Sequence, residues 1–148
     1  MTAAPDLLAR SGMAQFEHWA GALTPEQRRV MQMHPEIGAH ILEPIRFLKG
    51  IKEIVLHHQE RFNGTGYPRG LKGEEIPLES RILAVADAYD AIISPRVYKP
   101  ALPHEEALRL MRAKAGTQFD PDVMSAFLEV QEEVRRIAVR FAGSGVEP

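Results

Sequence analysis

The chain has 148 residues, 45% hydrophobic and 26% charged, which fits one folded domain and excludes a disordered chain. No apolar run reaches the roughly 18 residues of a membrane span, so we expect no membrane association. Eighteen Lys and Arg against 20 Asp and Glu give a net charge of −2, which argues against binding duplex nucleic acid. Because cysteine is absent, any metal site must use His, Asp and Glu.

The first predicted helix begins at Thr24-Pro25-Glu26-Gln27, where an N-cap threonine precedes a proline at the first helical position. Its apolar residues repeat at helical spacing to about Leu42 or Glu43. Pro35 lies inside this stretch, so we expect a kink or a new helix start near His34.

Four further helices are predicted from apolar spacing and from the glycines and prolines between them. They cover Ile51 to about Glu60, Glu79 to about Ile93, a helix from Pro103 to Gly116, and one starting at Phe119-Asp120-Pro121. The expected core faces are Ile82, Val85, Ala86, Tyr89 and Ile93 in the third helix and Val123, Phe127, Val130, Val134 and Ile137 in the fifth. No long segment alternates with period two, so we predict an all-α domain of five to seven helices.

Residues 61–78 form a predicted loop with four glycines and two prolines in 18 residues. Loops of this length inside a compact domain usually carry function. Asn63-Gly64-Thr65-Gly66 is not a P-loop, because no strand precedes it and no Lys-Ser/Thr pair follows it.

Several ionisable residues lie among apolar ones, namely His34, His57, His58 and Asp87. One interpretation is a metal site, since imidazole and carboxylate from separate helices suit Fe, Mn or Zn. The other is that the histidines are ordinary core or surface residues and that Asp87 is paired with an arginine such as Arg81 or Arg96.

Arg96 and Lys99 flank Tyr98 in the loop after the Asp87 helix. Two cations beside an aromatic ring can hold a phosphate and stack a base. The alternative is a solvated loop without a ligand.

The segment HHQERFNGTGYPRGLKGEEIPLESRILAVADAYDAI, followed by PRVYK, resembles the HD-GYP family of bacterial signalling phosphodiesterases. MQMHPEIGAHIL and GTQFDP also match, so the resemblance covers roughly residues 24–130. Gly66, Tyr67 and Pro68 are the GYP element, and we call residues 61–78 the GYP loop.

The resemblance implies an HD-domain-like helical bundle that hydrolyses cyclic di-GMP at a bi- or trinuclear iron or manganese centre. By motif, His34, the His57/His58 pair and Asp87 are metal ligands. Arg96 and Lys99 bind phosphate, and Gly66, Tyr67 and Pro68 line the substrate pocket. The resemblance also implies GGDEF-domain partners, and we expect a cytoplasmic protein.

Two departures from the family pattern alter this expectation. The family's HDxGK motif is absent from the sequence, so we expect little or no hydrolysis; the alternative is a non-catalytic nucleotide-binding or GGDEF-interacting module. Counted back from the GYP triplet, the histidine pair falls on His58 and Gln59, whereas by identity it falls on His57 and His58. Glutamine is a poor ligand for iron.

The predicted organisation is a remnant segment at residues 1–23, an HD-GYP-like domain at 24–140 and a frayed tail at 141–148. The chain is expected to start just after the missing motif, unless Met1 is not the natural start. Val30, Met31 and Met33 are then candidates for an exposed apolar patch that drives homodimer formation.

Overall fold

The computed structural model describes residues 24–95 and 100–143, and the expectations for residues 1–23, Arg96, Lys99 and residues 144–148 lie outside this part. Within it no helix is long and apolar enough to cross a membrane. Seven α-helices form there, which confirms the all-α prediction: α1 Pro25–Gln32, α2 His34–Leu42, α3 Lys49–His57, α4 Leu78–Ile93, α5 His104–Arg112, α6 Pro121–Glu129 and α7 Gln131–Gly143. Short 3₁₀ turns occur at Arg46–Leu48 and Gly73–Glu75.

The helical stretch is interrupted between α1 and α2, at the position predicted from Pro35. Thr24 and Gln27 cap α1 reciprocally, each side chain accepting a hydrogen bond from the other's backbone N–H. Met33 ends α1, and α2 begins at His34 with Pro35 in its first turn, where proline needs no N–H partner. His34 therefore lies at a helix start rather than inside a continuous helix.

Helices α2 and α3 pack closely against each other. Gly38 of α2 makes this possible, because an added Cβ there would lie 2.9 Å from Val55 Cγ1 on α3. This packing brings His34 and His58 to the same end of the helix pair. The outer side of α1 and α2 remains exposed, with Val30 58% and Met33 51% exposed, and the self-association predicted for this face stays a prediction.

The core lies where α4 packs against α5 and α6. Small residues on α4 allow the close approach, and Val85 and Tyr89 are buried as predicted. The prediction was wrong for Ile82, which is 50% exposed, and for Ala86, which is exposed. Neither residue lies on the face of α4 that packs against the neighbouring helices. The buried residues of this core are Val85, Ala88, Tyr89, Ile92, Ala107, Leu108, Met111, Phe119, Met124 and Phe127.

The predicted fifth helix is two helices. The chain turns at Val130 between α6 and α7, so the apolar spacing does not continue on one face. Val130 and Ile137 were predicted to lie in the core, and that was wrong, because both are nearly half exposed. Helix α7 extends to Gly143, into the segment predicted to fray.

An ion pair ties α4 to the start of α6. Arg81 donates to the Asp120 carboxylate at 2.6 Å and, through Nε, to the Ile76 carbonyl. Asp120 also caps α6 by accepting from the backbone N–H groups of residues 122 and 123. Burial raises the pKa of Asp120, but the hydrogen bond from Arg81, the two N–H donors and the arginine's charge outweigh it, so the pKa is lowered.

We expect Asp120→Asn to lower the free energy of unfolding by about 2–4 kcal/mol at neutral pH, since Arg81 keeps a buried, uncompensated charge while asparagine preserves the helix cap. The stability that the carboxylate contributes is complete above its unfolded pKa of about 3.9 and is lost as pH falls through the lower folded pKa. Urea unfolding at several pH values measures both effects. Glu106→Gln removes a carboxylate from the exposed pair with Arg109 and should change stability little. Equal losses in both variants would contradict the account.

Candidate metal and substrate site

Two histidines from separate helices face each other at one end of the α2–α3 pair. His34 is the first residue of α2, and His58 is the C-cap of α3. Their Nε2 atoms are 3.4 Å apart, and their rings meet edge to face with centroids 5.3 Å apart. The structure thus brings together two of the residues predicted to bind metal.

The other nitrogen of each ring is bound to a backbone carbonyl. His34 Nδ1 lies 2.8 Å from the Met31 carbonyl oxygen, and His58 Nδ1 lies 2.6 Å from that of Val55. Each Nδ1 must therefore carry the proton, which leaves a lone pair on each Nε2 of the neutral rings. Two such nitrogens this close together can be shared by one cation.

A divalent metal ion fits this arrangement. Metal–nitrogen bonds of about 2.0–2.1 Å separate two imidazole nitrogens in one coordination sphere by about 3.0–3.4 Å. The carbonyl contacts to Nδ1 are also those that usually orient a metal-binding histidine. Within residues 24–95 and 100–143, however, no group of three or more His, Asp or Glu side chains that could hold a metal comes together.

The environment keeps His34 neutral. Its burial lowers the pKa of the imidazole, the hydrogen bond to Met31 partly opposes this, and the neighbouring His58 lowers the pKa further. A neutral imidazole is the form that binds a metal ion, so His34 is in the correct protonation state at neutral pH.

His57 has different neighbours from those of His58. Its ring is buried, with Nε2 3.6 Å from Glu53 and Nδ1 3.5 Å from Glu60. Adjacent helical residues point about 100° apart, so the two rings diverge. Gln59, the other candidate for the second member of the pair, is buried beside the GYP loop, and its carbonyl accepts from the Tyr67 N–H at 3.3 Å.

The GYP loop folds back onto the residues that follow His58. Gly66 makes the tightest approach, since an added Cβ would lie 2.3 Å from the Arg61 nitrogen and 2.6 Å from the Gln59 oxygen. The Tyr67–Pro68 peptide bond is cis. The ring of Tyr67 meets that of His34 edge to face, with centroids 6.2 Å apart, and burial raises the pKa of its hydroxyl. Gly66, Tyr67 and Pro68 are all half-buried beside the histidine pair.

Glu60 is a residue that the sequence analysis missed. Its side chain is fully buried, and its two oxygens accept hydrogen bonds from the backbone N–H groups of Arg69 and Leu71 at 2.7 and 3.0 Å. A carboxylate two residues after His58 and just before a glycine-rich loop was the available signal, because such a loop exposes many backbone donors.

The remaining predicted site residues are on or after α4. Asp87 lies in the middle of α4 and is half-buried. Helix α4 packs against α3, and Ser80 Oγ donates to the Ile54 carbonyl at 3.2 Å between them. Arg96 and Lys99, the predicted phosphate-binding pair, lie outside the described residues.

Comparisons with known proteins identify the class of domain. The HD domain family matches residues 2–123. The chain is 48% identical over 128 residues to a cyclic di-GMP phosphodiesterase of Vibrio cholerae, covering 82% of this chain and 26% of that protein. It is 46% identical over 118 residues to a cyclic di-GMP phosphodiesterase of Thermotoga maritima, covering 77% of this chain and 32% of that protein.

A solved structure agrees with this assignment. The cyclic GMP-AMP specific phosphodiesterase V-cGAP3 of V. cholerae superposes with a TM-score of 0.61 at 25% identity, covering 86% of this chain and 31% of that one. The chain thus spans about a quarter to a third of the length of these relatives.

The chain belongs to the HD domain family and is of the HD-GYP type. HD domain phosphohydrolases are generally metal-dependent, which agrees with the fit of a cation between His34 and His58.

Proposed function

We propose that the chain is the HD-GYP domain of a bacterial cyclic di-GMP signalling protein. It binds an iron or manganese ion through the Nε2 atoms of His34 and His58 and takes cyclic di-GMP against the adjacent GYP loop. Hydrolysis by this chain is weak or absent. The similarity to cyclic di-GMP phosphodiesterases supports the substrate.

The close approach of the two Nε2 atoms, on rings whose Nδ1 atoms are bound to backbone carbonyls, carries the proposal. The two Nε2 atoms lie 3.4 Å apart, a separation that suits two nitrogens bound to one cation. When bound, such an ion polarises a phosphoryl oxygen and promotes ionisation of water.

Residues of the chain hold and orient the ion. His34 and His58 orient the ion, with their rings fixed by the Met31 and Val55 carbonyls. Asp87 is proposed as a further ligand. Nitrogen and carboxylate donors together suit iron or manganese.

Substrate binding is assigned to the neighbouring loops. We propose that Tyr67 and Pro68 form one wall of the pocket beside the ion, since the Tyr67 ring already contacts His34. Arg96 and Lys99 hold the phosphates by charge. Family resemblance adds a GGDEF domain as the partner of the exposed part of the GYP loop.

Weak hydrolysis follows from the ligands present. The sequence contains no His-Asp pair, so it lacks the ligands that the family's HDxGK motif supplies. A centre of two ions would need those ligands, whereas His34, His58 and Asp87 would hold a single ion. A domain with a single ion can bind the nucleotide and present the GYP loop to a partner without rapid turnover.

The experiment is metal analysis of protein purified anaerobically with iron and manganese, followed by binding and hydrolysis assays with cyclic di-GMP and cyclic GMP-AMP. We expect a single ion per chain, preferential binding of cyclic di-GMP and little hydrolysis. A double variant, His58→Ala with Asp87→Ala, should lose the ion. Two ions with rapid hydrolysis would contradict the impairment, and absence of both metal and nucleotide binding would refute the proposed function.

A further inference from the structure

The carboxylate of Glu60 closes the GYP loop onto the end of the metal-binding helix. Its side chain is fully buried. Oε1 accepts from the Arg69 N–H at 2.7 Å, and Oε2 accepts from the Leu71 N–H at 3.0 Å. Glu60 lies two residues after His58 in the sequence. Its side chain therefore links the backbone next to the histidine pair to residues 69 and 71 of the GYP loop.

The hydrogen bonds around Glu60 determine where the GYP loop passes over the backbone of residues 59–61. Its own N–H donates to the His57 carbonyl at 3.1 Å, which fixes it to the end of α3. The Tyr67 N–H donates to the Gln59 carbonyl, and Gly66 passes against the backbone of residues 59–61. Tyr67 and Pro68 are therefore held between the crossing at Gln59 and the two amides that bind Glu60.

Glutamine cannot replace this carboxylate. The two amides approach different oxygens, and a glutamine side chain offers one acceptor oxygen and one NH₂ donor. One of the two loop N–H groups would then face another donor in a buried place, which costs more than the simple loss of a hydrogen bond. This position thus requires a side chain with two acceptor oxygens. A buried polar side chain of another kind would not meet this requirement.

We propose that Glu60 is a positioning residue that fixes Tyr67 and Pro68 beside the His34/His58 pair, and so controls the affinity for the dinucleotide without binding the metal ion. The inference rests on the proposed function for the identity of the ligand. The closure of the loop by Glu60 does not depend on it and is tested separately.

The test compares Glu60→Gln with Glu53→Gln. Both remove a carboxylate near His57, but Glu53 lies on the other side of the ring at 3.6 Å and is 57% exposed. Amide hydrogen exchange of Arg69 and Leu71 is measured on metal-free protein. Manganese affinity and cyclic di-GMP affinity are then measured separately.

For Glu60→Gln we expect exchange at the two amides to rise by about 10-fold or more, and cyclic di-GMP binding to weaken by about 10-fold, since a hydrogen bond to a charged group is lost. Manganese affinity should stay within about threefold, a result that general misfolding would not give. Glu53→Gln should resemble the native protein. Glu60→Asp keeps the charge but has a shorter reach, so it should show an intermediate effect.

Unchanged exchange at Arg69 and Leu71 in Glu60→Gln overturns the proposal, as does an equal effect of Glu53→Gln on nucleotide binding. Loss of manganese affinity parallel to the loss of nucleotide affinity also overturns it, because Glu60 would then act on the metal ligands. A native protein that does not bind cyclic di-GMP overturns the proposed function instead, and the exchange data then still decide whether Glu60 closes the loop.

Discussion

Replacing His58 by alanine is expected to lower the affinity of the protein for manganese or iron by more than about 100-fold. Loss of residues that merely orient a ligand costs about 10–100-fold, and His58 is proposed to be a ligand itself. The remaining His34 offers only one imidazole nitrogen, so the pair of nitrogen donors is lost. Equilibrium titration with manganese, followed by competition with a chelator, measures the change. His34→Ala should give the same result.

His40→Ala is the matched control for this prediction. His40 also lies on α2, but its ring is 84% exposed and its Nδ1 is 3.2 Å from Glu43 at the surface. This variant should bind metal like the native protein. If His40→Ala weakens metal binding as much as His58→Ala, the pair of His34 and His58 is not the site.

The second large effect is expected from Gly66→Ala. The added methyl group would lie within 2.6 Å of backbone atoms of Gln59, Glu60 and Arg61, so neither side can give way without moving the main chain. We expect the GYP loop to move away from the backbone of residues 59–61. Binding of cyclic di-GMP should then fall below detection, with a marked loss of thermal stability.

Gly50→Ala provides the comparison, because an added Cβ there meets nothing within 4 Å and the residue lies in α3. Alanine favours a helix over glycine by about 0.5–1 kcal/mol, so this variant should be at least as stable as the native chain. Calorimetry and nucleotide titration of the two variants test the prediction. A Gly66→Ala protein that retains native nucleotide affinity would contradict the close approach of the loop.

Sequence patterns predicted most of the helices because capping residues and prolines act locally. Thr24, Pro35 and Asp120 each mark a helix start through hydrogen bonds or φ restriction within one turn. The side of a helix that becomes buried is a tertiary property. Ile82 and Ile137 match a helical spacing but remain about half exposed, because no described neighbour covers them.

The candidate site was predictable in part for the same reason. Polar residues in apolar stretches pointed to His34 and His58, but spacing could not show that their Nε2 atoms meet. That depends on the packing of α2 against α3 at Gly38. Glu60 was not predicted because its partners are backbone N–H groups of the loop. Every residue except proline has such a group, so the sequence does not show which of them a carboxylate will bind.

The most direct test of the central claim is long-range ¹H–¹⁵N NMR of the histidine rings, before and after addition of Zn²⁺ as a diamagnetic probe. We expect His34 and His58 to carry a proton on Nδ1, which binds a backbone carbonyl, and both Nε2 resonances to shift together on saturation with the metal. A proton on Nε2 of either ring in the metal-free protein, or a metal-induced shift confined to other histidines, would contradict the shared site.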